Sequence, residues 1–269
     1  MDYQYITVTL NQQIANVELA RPEKHNAINM TLFKELIHLA KSLRKDRQLR
    51  AVIISGQGED FCSGIDIKSL FGSSKNAMKL LFKVLPWRSN KAQQVSTLWR
   101  DLPVPVIFAL HGKCWGAGLQ IALGGDFRIA TPDASLSIME ARWGLIPDMG
   151  GNIALKELMP IDQAKLLAMS GKELSGHQAL ALNLLTQVAE DPLQAATQLA
   201  NQLSHCSPDS IAGCKKLYNR TWQKSNGLTL AKESWYQIKI LLGKNYLIKG
   251  ANQRNADQPA KPFKARSPW

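Results

Sequence analysis

His111-Gly112-Lys113-Cys114-Trp115-Gly116-Ala117-Gly118-Leu119 is the stretch on which the fold turns. It follows Pro105–Leu110, an apolar run of strand length. It leads into Gly116–Leu123, which reads as a helix started behind glycine and ended at Gly124-Gly125. Small residues at such a turn let a ligand approach the backbone, and the first amides of a helix have no internal partner. The same pattern occurs upstream. Ala51–Ser55 is a buried-strand run ended by Gly56, and Phe61-Cys62-Ser63-Gly64-Ile65-Asp66-Ile67-Lys68 is a second glycine-bearing turn before a short helix expected from about Ile65. Two helix starts meeting in space would aim two N–H donors at one oxygen, where they stabilise developing negative charge. Taken alone, either turn serves equally well as a tight strand-to-helix connection.

Outward from these turns, residues 3–10 and 14–20 alternate polar with Ile, Val and Leu around Asn11-Gln12-Gln13, which predicts a hairpin. Arg21-Pro22-Glu23-Lys24 breaks the second strand. Leu32, Leu36, Leu39 and Leu43 space an amphipathic helix behind Thr31. Phe127–Ala130 and Leu136–Ile138 read as strands. Strand and helix alternating at this rhythm argue for right-handed crossovers and an α/β core. Residues 72–101 read as a mobile helical excursion. From Asp162 onward the pattern is helical apart from Leu184–Val188, with helix starts at Asp191-Pro192 and Ser207-Pro208-Asp209 and a last amphipathic helix around 228–242. The segment 251–269 reads as a loose basic tail in which Phe263 and Trp269 could dock locally.

A chain of 269 residues that is 45% hydrophobic can fill one large core. No apolar run reaches the length of about 18 residues that would suggest a membrane span. The opening residues lack the pattern of a signal peptide. Cys62, Cys114, Cys206 and Cys214 show no metal-ligand spacing, so no metal is expected, and they read as reduced packing thiols of a cytoplasmic protein. The formal charge of +12 is scattered, with a concentration near the end. It suits a solvated surface or attraction for the phosphates of a polyanionic ligand. No interleaving of basic and aromatic residues points to nucleic acid.

A third block, Met139-Glu140-Ala141-Arg142-Trp143-Gly144-Leu145-Ile146-Pro147-Asp148-Met149-Gly150-Gly151, sets two carboxylates among apolar residues and glycines. A carboxylate between Met, Trp, Leu and Ile loses hydration, which raises its pKa toward the range of a general base. The competing account pairs Glu140 with Arg142 or a lysine and makes Asp148 a helix cap. His111 reads as a structural histidine, and Trp115 and Trp143 as pocket wall or core.

Order and spacing carry a resemblance. Arg21-Pro22-Glu23-Lys24-His25-Asn26-Ala27, Ser63-Gly64-Ile65-Asp66, Gly116-Ala117-Gly118, Gly125-Asp126-Phe127-Arg128-Ile129-Ala130 and Glu140 through Gly151 together resemble the enoyl-CoA hydratase/isomerase (crotonase) family over about residues 5–250. The resemblance implies an α/β fold with a spiral core of ββα turns over 1–190. A helical region over 191–250 would help form trimers or dimers of trimers. It implies no tightly bound cofactor, but a bent coenzyme A as part of an acyl-CoA thioester substrate. By position, Ile65 and Ala117 would supply the oxyanion-hole amides. Lys24, Asp66 and the loop near Arg21 would lie along the coenzyme, with Ser63, Gly64, Ile67, Trp115, Gly116 and Trp143 also in contact with substrate.

The chain departs from the hydratases at Gln120, where they carry a second glutamate. Hydration needs water activation and proton delivery, and glutamine cannot accept a proton near neutral pH. Asp148 matches a carboxylate of the dienoyl-CoA isomerases, although those carry Asp where Gln120 stands. A simple enoyl-CoA isomerase needs only a glutamate at the Glu140 position. Double-bond isomerisation is therefore expected, with Glu140 or Asp148 as base and Gln120 orienting Glu140 or a water. Hydratase (lyase) activity and inert acyl-CoA binding are the alternatives, and the dehalogenase branch, with Trp at the Glu140 position, fits poorly. Leu80, Leu81, Phe82 and Trp87, with Phe71, would line the acyl chain, unless that excursion is a plain packed helix.

Overall fold

The computed structural model describes residues 3–67, 69, 80–83, 85–255 and 257–269. The N-terminal hairpin pairs β1 (Ile6–Asn11) with β2 (Ile14–Leu19) antiparallel, Ile6 opposite Leu19 and Asn11 opposite Ile14. Gln12 and Gln13 take positive φ at the two-residue turn, the conformation that such a loop demands. Helix α1 (Met30–Lys45) is capped by Asn29, whose side chain accepts from the Leu32 amide, and it buries Leu32, Phe33, Leu36 and Leu39. From there the chain enters β3 (Ala51–Gly56), which runs parallel to β2. Parallel strands β4 (Val106–Leu110), β6 (Phe127–Ala130) and β9 (Gln187–Val188) complete a sheet of order β1-β2-β3-β4-β6-β9.

Each pass through the crossover lays a second, short strand on a smaller sheet. β5 (Lys113–Trp115) follows β4, and β7 (Ser135–Ser137) follows β6 and pairs with β5 in parallel. The two-residue β8 (Glu173–Leu174) closes that sheet antiparallel to β7. This is the ββα spiral expected from the resemblance. Alternation along the strands divides the core. Val52, Ile54, Val106 and Phe108 face the larger cluster with α1, whereas Ala51, Ile53, Ile107 and Ala109 face a second cluster. That second cluster is roofed by α7 (Pro192–Ser204), whose Ala196 and Ala200 permit close approach.

Between β3 and β4 lies α2 (Lys91–Arg100), closed at its start by a reciprocal Asn90–Gln93 capping box and burying Val95 and Trp99. The expected excursion is thus an anchored helix over its second half. Its earlier residues 72–79 and 84, Phe71, and most of the helix expected from Ile65, lie outside the described residues. Helix α3 (Ala117–Ala122) is buried throughout. α4 (Asn152–Leu158) precedes the expected helical region, and α5 (Ile161–Ser170) and α6 (Gly176–Ala181) follow. Beyond α7 come α8 (Pro208–Thr221), α9 (Asn226–Leu241) and α10 (Asn245–Arg254). No helix among the described residues is long and apolar enough to cross a membrane.

The expectation of a loose tail is corrected. Arg266 is buried, and its amide donates to Arg47 O at 2.9 Å while the Arg266 guanidinium reaches Asp46 O at 3.1 Å. The Ser267 amide donates to Asp209 Oδ1 at 2.6 Å, and Trp269 stacks on Tyr236 with ring centres 6.0 Å apart. Composition suggested disorder, but tertiary partners far back in the chain satisfy this backbone.

Candidate active site

The two glycine turns meet. Phe61 N donates to His111 O, Cys62 N to Lys113 O and Trp115 N to Cys62 O, at 2.9, 2.9 and 3.0 Å. Gly118 makes the contact possible, since a Cβ there would lie 2.7 Å from Cys62 O and 2.8 Å from Cys62 Cβ. Gly116 takes a φ of 48°, which turns the chain from β5 into α3. Among the described residues, neither the Ile65 nor the Ala117 amide has a hydrogen-bond acceptor. Both residues line one cavity of about 450 Å³, together with Ser63, Gly64, Ile67, Trp115, Gly116, Met139, Glu140, Trp143 and Leu145.

Glu140 sits on a single 3-10 turn, Met139–Trp143, close enough that a Cβ on Gly116 would be 3.7 Å from its Oε1. That Oε1 accepts a hydrogen bond from Gln120 Nε2. Gln120 is buried in α3, and its own Oε1 accepts from the Met149 amide at 2.8 Å. One glutamine thus ties the Glu140 turn to the segment that carries Asp148. Glu140 Oε2 is buried without a hydrogen-bond partner among the described residues. Burial raises the Glu140 pKa above the usual carboxylate range. The Gln120 hydrogen bond opposes the shift and the Asp148 charge adds to it. Asp148 stands at the rim with its side chain partly in solvent. Partial desolvation still raises its pKa, against a hydrogen bond from its own amide.

Among the described residues, the competing account of these carboxylates does not hold. Arg142 pairs with Glu173 at 3.0 Å, and α4 has Gly151 at its N-cap. Ile65, Glu140 and Leu145 also face a second, inner cavity of about 170 Å³, whose other walls are Phe33, Leu80, Leu81, Ala92, Ile146, Asp148 and Met149. Leu80 and Leu81 are placed as expected for an acyl wall. Phe82 and Trp87 are not, being 73% and 80% exposed and absent from the lining.

On the expected coenzyme side, Arg21 is not a free cation. Its guanidinium is buried, donates to Asp66 Oδ2 at 2.9 Å and to Ala27 O at 2.9 Å, and lies over the Tyr5 ring. Burial would raise the Asp66 pKa, but hydrogen bonds from Arg21 and the Ser69 amide, with the charges of Arg21 and Lys24, hold it below the usual range. Arg21 and Asp66 therefore neutralise each other and fix the loop, while Lys24 is exposed at the end of the 3-10 turn Pro22–Lys24.

Asp60 was missed in the sequence, where it is one carboxylate in a glycine-rich loop. It is buried and accepts from the Lys113 amide at 2.7 Å and from His25 Nδ1 at 2.6 Å, so it fastens the first turn to β5. His111 Nε2 lies 3.0 Å from Gly58 O, in the structural role expected of it. Cys62 and Cys114 are buried, and burial pushes the Cys62 thiol up to about 12. Cys206 is half-buried and Cys214 exposed, so packing accounts for only two of the four. Among the described residues, no group of three or more His, Cys, Asp or Glu gathers as a metal site would.

Comparison with known proteins gives the same frame. The model of the enoyl-CoA hydratase/isomerase family matches residues 9–239. The mitochondrial Delta(3,5)-Delta(2,4)-dienoyl-CoA isomerase of Mus musculus is 33% identical over 224 residues, which is 80% of this chain and 68% of that protein. Carnitinyl-CoA dehydratase of Salmonella enteritidis PT4 is 32% identical over 218 residues, 80% of each chain. The crystal structure of an enoyl-CoA hydratase from Polaromonas sp. JS666 superposes with a TM-score of 0.83 at 26% identity, covering 96% of this chain and 99% of that one. With the spiral core, the paired glycine turns and a match across most of its length, this chain belongs to the enoyl-CoA hydratase/isomerase family.

Proposed function

We propose that this enzyme moves a double bond within an enoyl- or dienoyl-CoA. The thioester carbonyl accepts hydrogen bonds from the Ile65 and Ala117 amides, with coenzyme A along the outer cavity as part of the substrate. Glu140 removes a proton from the acyl chain, leaving a dienolate whose oxygen carries the negative charge between the two amides. A proton then returns to another carbon, either the same one from Glu140, or one from a protonated Asp148 that the proton on Glu140 then replaces. The observation that carries this reading is the Glu140 carboxylate. One oxygen is held by Gln120, the other has no protein partner among the described residues, and the group lines both cavities. Gln120 can orient this base but cannot share a water-derived proton with it.

The test is direct. Incubation with 3-enoyl-CoA, 3,5-dienoyl-CoA and 2-enoyl-CoA should show isomerisation of a 3-unsaturated substrate and little hydration of the last. Hydration without isomerisation would overturn the choice in favour of lyase chemistry, the second reading supported by the Salmonella relative. An inert binder would show neither, nor any exchange of the α-proton of a bound acyl-CoA into heavy water. Self-association as a trimer is part of the same proposal. It is supported by large apolar side chains exposed on the C-terminal helices and the turns after them, among them Trp235, Leu230, Leu242 and Leu247. Light scattering at micromolar protein checks it.

A further inference from the structure

We infer that the inner cavity selects a hydrocarbon acyl group of about six carbons, or one six-membered ring, beyond the carbon next to the thioester, with Phe33 and Ala92 setting the limit. This deepens the isomerase proposal and rests on the same placement of the thioester. With the carbonyl between Ile65 and Ala117 and its neighbouring carbons at Glu140, the more distal carbons have the second cavity before them, since Ile65, Glu140 and Leu145 wall both spaces. Its volume is about 170 Å³. A dry protein cavity of about 150 Å³ holds one benzene molecule, so this space suits one ring or a folded six-carbon segment.

The chemistry of the walls narrows the class further. Among the described residues, the polar side chains that face this space are the carboxyls of Glu140 and Asp148 alone. Among the described residues, a polar acyl group would find no amide or hydroxyl side chain to receive it beyond those acids. Two of the buried walls come from core helices. Phe33 comes from the buried face of α1, 1% exposed, and Ala92 from the first turn of α2, 5% exposed. Leu81 and Ile146 form an exposed rim, 52% and 75% accessible to solvent. Carbons beyond the capacity of the space must pass that rim into solvent and contribute nothing to affinity.

Calorimetric binding of straight-chain saturated acyl-CoAs from acetyl to tetradecanoyl tests this without turnover. Affinity should rise by about fourfold per added methylene, the effect of burying one such group, up to about eight carbons and stay level beyond. Ala92→Leu should move the plateau to shorter chains, and Phe33→Ala to longer ones. Because Phe33 is also core, Ala92→Leu, which adds volume at a helix start, keeps the test readable if the other variant does not fold. Acetyl-CoA affinity should be the same in both variants. Binding of acyl-CoAs with no dependence on length, or a plateau that neither variant shifts, would overturn the inference while leaving the isomerase proposal standing. Absence of binding by every acyl-CoA would remove both.

Discussion

The side-chain amide of Gln120 donates to Oε1 of Glu140, and the other oxygen of that carboxylate lies buried with no hydrogen-bond partner among the described residues. A group held by one oxygen and free at the other is oriented for proton abstraction, and burial has already weakened its hold on the charge. Replacing Glu140 by Gln keeps the shape and removes the base. Turnover should fall by about 10²–10⁴-fold while acyl-CoA affinity changes little. Rate and calorimetric binding on the same preparation check this. A variant with parental turnover would remove Glu140 from the mechanism.

Gln120→Glu should change the reaction. A carboxylate at 120 can still accept from the Met149 amide, but the donor to Glu140 is gone. Two carboxyls in contact cannot both ionise, so one keeps a proton and the pair can activate a water. Isomerisation should drop, and hydration of 2-enoyl-CoA should rise at least about tenfold, on the scale of acid–base contributions. Isomerisation unchanged in this variant would show that Gln120 does not position the base.

The pH dependence follows from the raised pKa of Glu140 and has two signs. As a base, Glu140 works only ionised, so turnover should climb as pH rises through its raised value, above the ordinary glutamate value of about 4.3. Stability moves the other way. Between the ordinary value and the raised one, the folded chain holds a proton that the unfolded chain has released, so stability falls with rising pH. Glu140→Gln should therefore melt higher than the parent at pH 8, with the difference shrinking toward pH 4. An equal gap at both pH values would contradict the desolvated carboxylate.

Gly118→Ala probes the contact between the turns. The added Cβ would meet the Cys62 carbonyl at 2.7 Å, and the turn that carries Cys62 must shift. Separation of the Ile65 and Ala117 amides should lower turnover by about 10²-fold, as loss of one oxyanion donor does. Circular dichroism should show the fold retained. Full activity would mean that the two amides do not act together.

Asp60 gives a test outside the proposed catalytic carboxylates. Asp60→Ala leaves the Lys113 amide without its acceptor and should cost about 2 kcal/mol of stability, read from urea unfolding. Although burial alone would raise its pKa, the Lys113 and His25 contacts hold it below the usual range. Its contribution is thus complete above the ordinary aspartate value of about 3.9 and is lost as pH falls through the lower, folded value. An unchanged unfolding midpoint at neutral pH would discard this role.

Local chemistry made much of this legible. Helix α1 begins at the Asn29 cap, ahead of the start expected behind Thr31, but the hairpin at Gln12-Gln13, the helix start at Asp191-Pro192 and the apolar runs of β3 and β4 are encoded within a few residues of where they act. So are the glycine turns, because positive φ and close backbone approach exclude a side chain whatever the remainder of the chain does. The strand within the second turn, Lys113–Trp115, was hidden because its ladder partners are Ser135–Ser137, some twenty residues away. The docked tail was hidden for the same reason, since Arg266 is held by Asp46 and Arg47 across the whole length of the chain.

Residue identity alone determined that this chain carries two glycine-bearing turns, a glutamine at 120, and acids at 140 and 148 among apolar neighbours. Folding decided which of these became a site. It set Ile65 and Ala117 on the wall of one cavity and gave Glu140 Oε1 the Gln120 amide as donor. It left Asp148 at a rim and spent Arg21 and Asp66 on each other. The physical reason is that burial and hydrogen-bond partnership, which set both pKa and free donors, are properties of what surrounds a group in space, and those surroundings come from segments that no local window contains.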